Sequence, residues 1–226
     1  DRDVDAVVDC WEKLPDVLPT FLWVHVMETH SPYLPPPEYR ERFLSESLSE
    51  GDIWRLNDLL HEQPDQLTDE EVRSISDLYD ASLRYLDDEL DRLFAALGLN
   101  DGWGETCLAF TADHGEQFRE HGRLTHCLQP YEEGIHVPLL FHLGESTLSD
   151  VTSVTSALDI GPTLLEAALG DIEIPDRFHG RSLGGVLDGT ESLPGARAGF
   201  PRSASGPRHG PPAPARSPRG RMARPG

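Results

Sequence analysis

Apolar side chains recur at helical spacing in three parts of the chain. Residues 4–14 read as the end of an amphipathic helix, and residues 75–97 give the clearest pattern, with leucines three and four positions apart. A third helix is predicted near residues 159–169, with Asp159 as its N-terminal cap and Pro162 in its first turn. The chain therefore contains at least three amphipathic helices that need an apolar surface to pack on.

Between these helices lie continuous apolar runs of strand length. They predict strands at 20–27, 106–111, 137–142 and 151–154. Strands that alternate with helices are typical of an α/β fold, with a mostly parallel sheet covered by helices on both faces. Segment 38–70, between the first strand and the long helix, is acidic and irregular or short-helical, as expected for the rim of a site.

The character of the sequence changes after residue 193. Of the last 33 residues, 27 are Pro, Arg, Gly or Ala, a composition that cannot bury enough apolar surface to offset the entropy of ordering. We therefore expect residues 1–193 to form the domain and residues 194–226 to be a disordered tail. An out-of-frame translation of a GC-rich gene would explain this composition, and a natural basic linker is the alternative.

Charge divides the chain at the same place. All 40 acidic residues precede residue 193, whereas the tail carries seven arginines and no acid. An acidic surface with a single lysine, Lys13, is typical of a protein from a high-salt cytoplasm, where salt screens the repulsion between carboxylates. The charge argues against a nucleic-acid partner, since the one basic stretch lacks interleaved aromatic residues.

The three cysteines, Cys10, Cys107 and Cys127, lack the spacing of a zinc site, and their odd number excludes a complete disulfide framework. We expect them to be free thiols. No run of apolar residues is as long as a membrane helix, and no signal peptide opens the sequence, so a cytoplasmic location is expected. The oligomeric state stays open.

The most informative residues follow the second predicted strand. Asp113 and His114 stand side by side where the apolar run 106–111 ends, and Gly115 permits a sharp exit of the chain. A carboxylate beside an imidazole suits a divalent cation, and the carboxyl ends of strands are where open α/β sheets place their chemistry. The pair is a candidate metal site, with a capped strand-end turn as the alternative.

Three further histidines stand in polar clusters near this pair in the predicted topology. His30 follows the strand at 20–27, and His121 and His126 lie in the loop after Gly115. Together with the runs Tyr131–Leu140 and Leu158–Leu165, this order of motifs resembles the C-terminal half of the sulfatases, members of the alkaline phosphatase superfamily. The resemblance covers about residues 1–190 and implies an incomplete alkaline phosphatase-like fold.

The resemblance implies a role for each of these residues. Asp113 and His114 match the second pair of metal ligands in that family, and His30 matches the histidine that contacts the sulfate group and protonates the leaving oxygen. His126 matches the position of a Lys or His that holds a sulfate oxygen, and His121 is expected to line the substrate pocket. Many sulfatases have Asp-Asn where this chain has Asp-His, so the resemblance does not fix the identity of the metal. Ca²⁺ fits best, with Mn²⁺ and Mg²⁺ as alternatives.

The nucleophile that the family requires is missing from this sequence. Sulfatases convert the Cys or Ser of a Cys/Ser-x-Pro-x-Arg motif to formylglycine, and no cysteine here begins such a motif. The first pair of metal ligands, Asp-Asp, is also absent. We therefore expect formylglycine in an N-terminal half outside this sequence, and an inactive isolated chain.

Three functions remain open from the sequence. The leading one is a metal-dependent sulfuric ester hydrolase, of which this chain is a fragment, acting on a small-molecule or saccharide sulfate ester. The first alternative keeps the site but hydrolyses a phosphate or phosphonate monoester or a phosphodiester. The second is a non-catalytic remnant, or a half that pairs with a complementary chain.

Overall fold

The computed structural model describes residues 2–15, 19–99, 103–104, 106–126, 129–144, 150–170 and 172–193. Its helices are α1 (Arg2–Trp11), α2 (Pro37–Phe43), α3 (Glu50–Glu62), α4 (Asp69–Ala96), α5 (Glu132–Ile135), α6 (Ile160–Leu169) and α7 (Gly184–Leu187). Its strands are β1 (Cys107–Thr111) and β2 (Leu139–Leu143), and short 3₁₀ turns cover Pro64–Gln66 and Ala157–Asp159. The tail at 194–226 and Cys127 lie outside the described residues.

Helix α4 is the long helix that the leucine spacing predicts, but it begins six residues earlier than expected. Its start is fixed by a capping box, in which the Thr68 hydroxyl accepts from the Glu71 amide and the Glu71 carboxylate accepts from the Thr68 amide. The buried side follows helical spacing, whereas Leu83 is 42% exposed although the sequence places it on the apolar stripe.

The core lies where α4 meets α3. Helix α3 begins with a capping box between Ser49 and Asp52 and buries four side chains. The core consists of apolar side chains from both helices, from the connection between them and from two loops: Tyr33, Ile53, Leu56, Leu60, Leu67, Val72, Ile75, Leu78 and Leu124. Segment 38–70, expected to be irregular or short-helical at the rim of a site, contains most of α2 and all of α3, and α3 also contributes to the core.

The sheet differs from the prediction. Strands β1 and β2 pair antiparallel, with Cys107 opposite Leu143 and Thr111 opposite Leu139, so the mostly parallel sheet predicted from the sequence is wrong for the described part of the chain. The connection from β1 to β2 contains α5 and is long enough for a parallel crossover, so its length alone does not decide the direction of pairing.

Two predicted strands are not strands in the structure. Residues 20–27 and 151–154 lie outside any helix or strand. A ladder of hydrogen bonds needs a neighbouring strand, and within the described ranges β1 and β2 pair only with each other. Phe21 and Trp23 are 80% and 79% exposed, so this apolar run is left uncovered.

Asp159 ties the C-terminal elements together instead of capping α6 with its side chain. The carboxylate is fully buried and accepts hydrogen bonds from the Ser156 and Arg181 amides. The side chain completes a capping box on the 3₁₀ turn that precedes α6. It makes no capping hydrogen bond to the first amides of α6 itself. Pro162 lies in the first turn of α6, as predicted. None of the described helices is long and apolar enough to span a membrane.

Candidate active site

His30 is positioned by a turn that ends the first apolar run. Its amide donates to the Met27 carbonyl at 2.9 Å, and its ring Nδ1 lies 2.6 Å from the Ser31 carbonyl oxygen. A carbonyl oxygen can only accept, so Nδ1 carries the proton and Nε2 is the nitrogen left for other partners.

Asp113 and His114 are held just beyond the end of β1. The His114 amide donates to Asp113 Oδ1 at 3.1 Å, and His114 Nδ1 lies 2.9 Å from the Gly115 carbonyl oxygen. The same reasoning leaves His114 Nε2 unprotonated when the ring is neutral, 3.7 Å from Asp113 Oδ1.

Gly115 locks this turn against α5. Its amide donates to the Gly134 carbonyl at 2.9 Å, and a Cβ at this position would lie 2.0 Å from the Glu133 carbonyl oxygen. A side chain cannot fit in this contact, so only glycine lets the strand-end turn and α5 approach so closely. The orientation of the Asp113–His114 pair therefore depends on this glycine.

Three of the predicted histidines come together. The rings of His114 and His126 stack with centroids 4.1 Å apart, and His30 lies 5.3 Å from His126. These residues come from two loops, separated by more than eighty positions in the sequence. The structure thus brings the residues expected to hold the metal next to those expected to hold the sulfuryl group.

Glu116 and Tyr33 complete this cluster, and sequence reasoning assigned no role to either. The Glu116 side chain is only 6% exposed, accepts from the Tyr33 hydroxyl at 2.6 Å and lies 3.6 Å from His126 Nδ1. Its second oxygen, Oε1, is buried without a hydrogen-bond partner among the described residues. Tyr33 is fully buried, and this burial, together with the bond to Glu116, raises its pKa.

The sequence carried only a local signal for the contact between Tyr33 and Glu116. Tyr33 belongs to the same polar cluster as His30, and Glu116 comes two positions after His114. Their contact joins positions 83 residues apart, which spacing alone cannot reveal.

His121 lies in a different environment from the three clustered histidines. Its Nδ1 contacts the Glu133 carboxylate at 2.5 Å, and its ring stacks on Tyr131 with centroids 3.8 Å apart. Gln117, almost fully buried, donates to the same carboxylate at 3.3 Å. The pKa of Glu133 is lowered, chiefly by its own backbone amide and further by His121 and Gln117, although burial opposes the shift.

The donor atoms of Asp113 and His114 fit a divalent cation. Both side chains are accessible, 77% and 37% exposed, and offer one carboxylate oxygen and one imidazole nitrogen. The bond from His114 Nδ1 to a backbone carbonyl is the outer contact that usually orients a ligating histidine. The described residues contain no group of three or more such side chains that could hold a metal. The pair therefore supplies two ligands, and a complete site needs more.

A comparison with protein families and curated sequences gives one consistent result. The model of the family described as Sulfatase matches residues 7–170. Arylsulfatase K from Xenopus laevis is 34% identical over 127 residues, covering 55% of this chain and 23% of that protein. An arylsulfatase from Clostridium perfringens is 24% identical over 202 residues, covering 82% of this chain and 41% of that protein.

A comparison with solved structures agrees on the fold. The phosphonate monoester hydrolase of Agrobacterium radiobacter superposes with a TM-score of 0.64 at 22% identity, covering 87% of this chain and 42% of that one. The chain thus spans less than half the length of each of these three relatives.

Proposed function

The chain belongs to the sulfatase family, and we propose that it carries part of the active site of a metal-dependent hydrolase of sulfate esters. The observation that supports this proposal is the convergence of His30, His114 and His126 beside Asp113. An imidazole cluster next to an accessible carboxylate offers cation ligands and hydrogen-bond donors within one small volume. A sulfate monoester carries one negative charge spread over three oxygens, so its binding needs both a cation and hydrogen-bond donors.

Asp113 and His114 are the residues we assign to the cation, for which Ca²⁺ fits best and Mn²⁺ or Mg²⁺ are alternatives. A divalent cation bound here would supply positive charge to sulfuryl oxygens and to a nucleophile. The chain's own contribution is to keep His114 Nε2 free of its proton, through the contact of Nδ1 with the Gly115 carbonyl.

His30 and His126 are the residues we assign to the sulfuryl group and the leaving group. His30 holds one proton on Nδ1, at the Ser31 carbonyl, so Nε2 is an acceptor in the neutral ring; when the ring is doubly protonated, Nε2 can donate to a substrate oxygen or pass a proton to the departing alkoxide. His126 has Glu116 3.6 Å from its Nδ1, and the role we assign to it is to donate to an anionic substrate oxygen when its ring is protonated.

The nucleophile is the part that this chain does not contain. Members of the sulfatase family generally use formylglycine together with a divalent metal, and this sequence has no Cys-x-Pro-x-Arg motif. We propose that a segment of the fold outside this sequence supplies formylglycine and the remaining metal ligands. The chain alone is then expected to bind a sulfate ester without turning it over.

Calorimetric titration tests the proposal on the chain as it exists. With Ca²⁺ or Mn²⁺ present, phenyl sulfate should bind, and His126→Ala should weaken binding about tenfold, the value of one charge-assisted hydrogen bond. His136→Ala is the matched control, since His136 is 78% exposed and its one ion-pair contact among the described residues is with Glu132. Equal affinities of the two variants would count against the site, as would an absence of phenyl sulfate binding to the wild-type chain.

Hydrolysis of a phosphonate monoester is the alternative that the structural comparison favours. The solved relative with a TM-score of 0.64 is a phosphonate monoester hydrolase. Phosphonate monoesters and sulfate monoesters each carry one negative charge, so the donors assigned here would serve either. Competing phenyl sulfate against phenyl methylphosphonate in the same titration would decide which anion the site prefers.

A non-catalytic half that pairs with a complementary chain is favoured by a different observation. Phe21, Trp23 and Leu140 are 80%, 79% and 56% exposed, which is unusual for large apolar side chains beside a sheet. Sedimentation velocity would show self-association of the isolated chain under this reading, whereas a monodisperse monomer that binds phenyl sulfate would exclude it.

A further inference from the structure

A basic cavity lies beside the histidine cluster, and His121 is the one residue of its lining that was given a role above. The cavity has a volume of about 660 Å³, in the range of small-molecule sites, and is bounded by the end of α3, the 3₁₀ turn at Pro64–Gln66 and the loop 119–125. Four of its ten lining side chains are basic, namely His61, Arg119, His121 and Arg123. Asp65 is the one carboxylate in this lining.

The basic character of this lining is unusual for a chain that is acidic as a whole. The sequence holds 40 acidic residues against 19 basic ones, and seven of the basic ones lie in the tail. Two of the remaining twelve nevertheless border one cavity. Because Asp69 pairs with Arg119, the positive charge that this lining can offer an anion is chiefly that of Arg123.

Hydrogen bonds from Arg119 hold one wall of the cavity in place. Arg119 donates to Asp69 at 2.8 Å and to the Pro64 and Leu67 carbonyls at 3.2 and 2.6 Å, which fixes the loop to the connection between α3 and α4. Arg119 and Thr125 both adopt positive φ, at 76° and 63°, in a region that costs non-glycine residues about 1 kcal/mol or more.

Arg123 and His61 are the groups left for a ligand. Asp69 already neutralises Arg119, and His121 Nδ1 donates to the Glu133 carboxylate. Arg123 and His61 are exposed, and neither side chain has a hydrogen-bond or ion-pair partner in the part of the chain that the structure describes. A planar guanidinium with free donors is suited to a carboxylate.

The cavity also adjoins the proposed reaction centre. Thr125 lines it, and the next residue is His126, with Cα atoms one peptide unit, about 3.8 Å, apart. The cavity is therefore bordered by the same loop that carries His126.

We propose that this cavity binds a second anionic group, a carboxylate, on the ring whose ester the site recognises, with Arg123 and His61 as its partners. The substrate class is thus an anionic ring that carries both a carboxylate and the ester. The part of this inference that concerns the substrate rests on the proposed function, whereas carboxylate binding in the cavity stands by itself.

Binding of 3-hydroxybenzoate against the uncharged 3-hydroxybenzamide tests the cavity without any ester. The wild-type chain should bind the carboxylate about tenfold more tightly than the amide, as expected for one charge-assisted contact. Arg123→Gln should bring the ratio close to one, and His61→Gln should reduce it. Arg84→Gln removes the same charge from an exposed site on α4 and should leave the ratio unchanged.

A ratio of one in the wild-type chain, or a preference that survives Arg123→Gln, would overturn the proposal. Circular dichroism checks that each variant folds, which is expected because both side chains are exposed. Phenyl sulfate separates the two hypotheses. If it fails to bind while the preference for 3-hydroxybenzoate remains, the proposed function fails and the carboxylate site stands; the reverse pattern removes only the carboxylate site.

Discussion

Removing the Tyr33 hydroxyl tests whether the buried carboxylate of Glu116 is a structural centre of the site. Tyr33→Phe deletes one oxygen and leaves the ring, which packs at 5.6 Å from Tyr79 and 6.4 Å from Phe118. Glu116 Oε2 would then lose its 2.6 Å donor, while Oε1 already has no partner among the described residues. The mutation therefore leaves a 6% exposed carboxylate whose remaining ion-pair contact among the described residues is His126, at 3.6 Å.

The expected cost follows from the kind of bond that is lost. A hydrogen bond to a charged group contributes about 1.5–3 kcal/mol, so we expect the free energy of unfolding to fall by about 2 kcal/mol. With a urea dependence of about 3 kcal/mol per molar, the midpoint should shift down by about 0.7 M. Urea unfolding followed by fluorescence measures this shift.

Tyr79→Phe is the matched control for this experiment. Tyr79 lies in the same aromatic group, and its hydroxyl has no hydrogen-bond partner within the described ranges. The same deletion there should cost less than about 0.5 kcal/mol. Equal costs at the two positions would refute the reasoning, because the loss at Tyr33 would then come from ring packing and not from the Glu116 bond.

Three other predictions concern the same part of the chain and its supporting helix. Gly115→Ala should lower stability by about 3 kcal/mol and weaken metal binding, since its Cβ would lie 2.0 Å from the Glu133 carbonyl; thermal unfolding and Ca²⁺ titration measure the two effects. Asp113→Asn should weaken Ca²⁺ binding without changing the unfolding midpoint, because the side chain is 77% exposed, and unchanged affinity would remove it from the ligand set. The hydrogen bond from the Thr68 amide, together with other donors, lowers the pKa of Glu71 from 4.5. The stabilisation that the ionised Glu71 gives the fold is therefore fully present above pH 4.5. It is lost as the pH falls through the lower pKa of the folded state. Glu71→Gln should flatten the stability profile over that window, and an unchanged acid limb would contradict this.

The helices were the part of the fold that the sequence could predict, since their signals are local. The spacing of leucines located α4, and the run Thr68-x-x-Glu71 carried a capping box that would have placed its start correctly. The sheet could not be predicted in the same way. Whether residues 20–27 form a strand depends on a neighbour elsewhere in the chain, which an apolar run does not specify.

The residues of the candidate site were likewise only partly predictable from the sequence. Resemblance of motifs predicted that His30, His114 and His126 belong to one site, and the structure places their rings together; their chemical roles stay predictions. Tyr33 and Glu116 carry no motif of their own, and their bond across 83 residues emerges only when α3 and α4 pack beneath the loops. Contacts of this kind depend on the whole core, so spacing cannot supply them.

Glu133 serves two neighbours with different parts of the same residue. Its backbone carbonyl meets Gly115 beside the Asp113–His114 pair, whereas its side chain holds His121 at the basic cavity. Replacing the side chain would alter the cavity and leave the peptide group that supports the pair in place. Related sequences could therefore diverge in which rings they accept while the ligand turn stays constant, because selection can act on the two functions of this position separately.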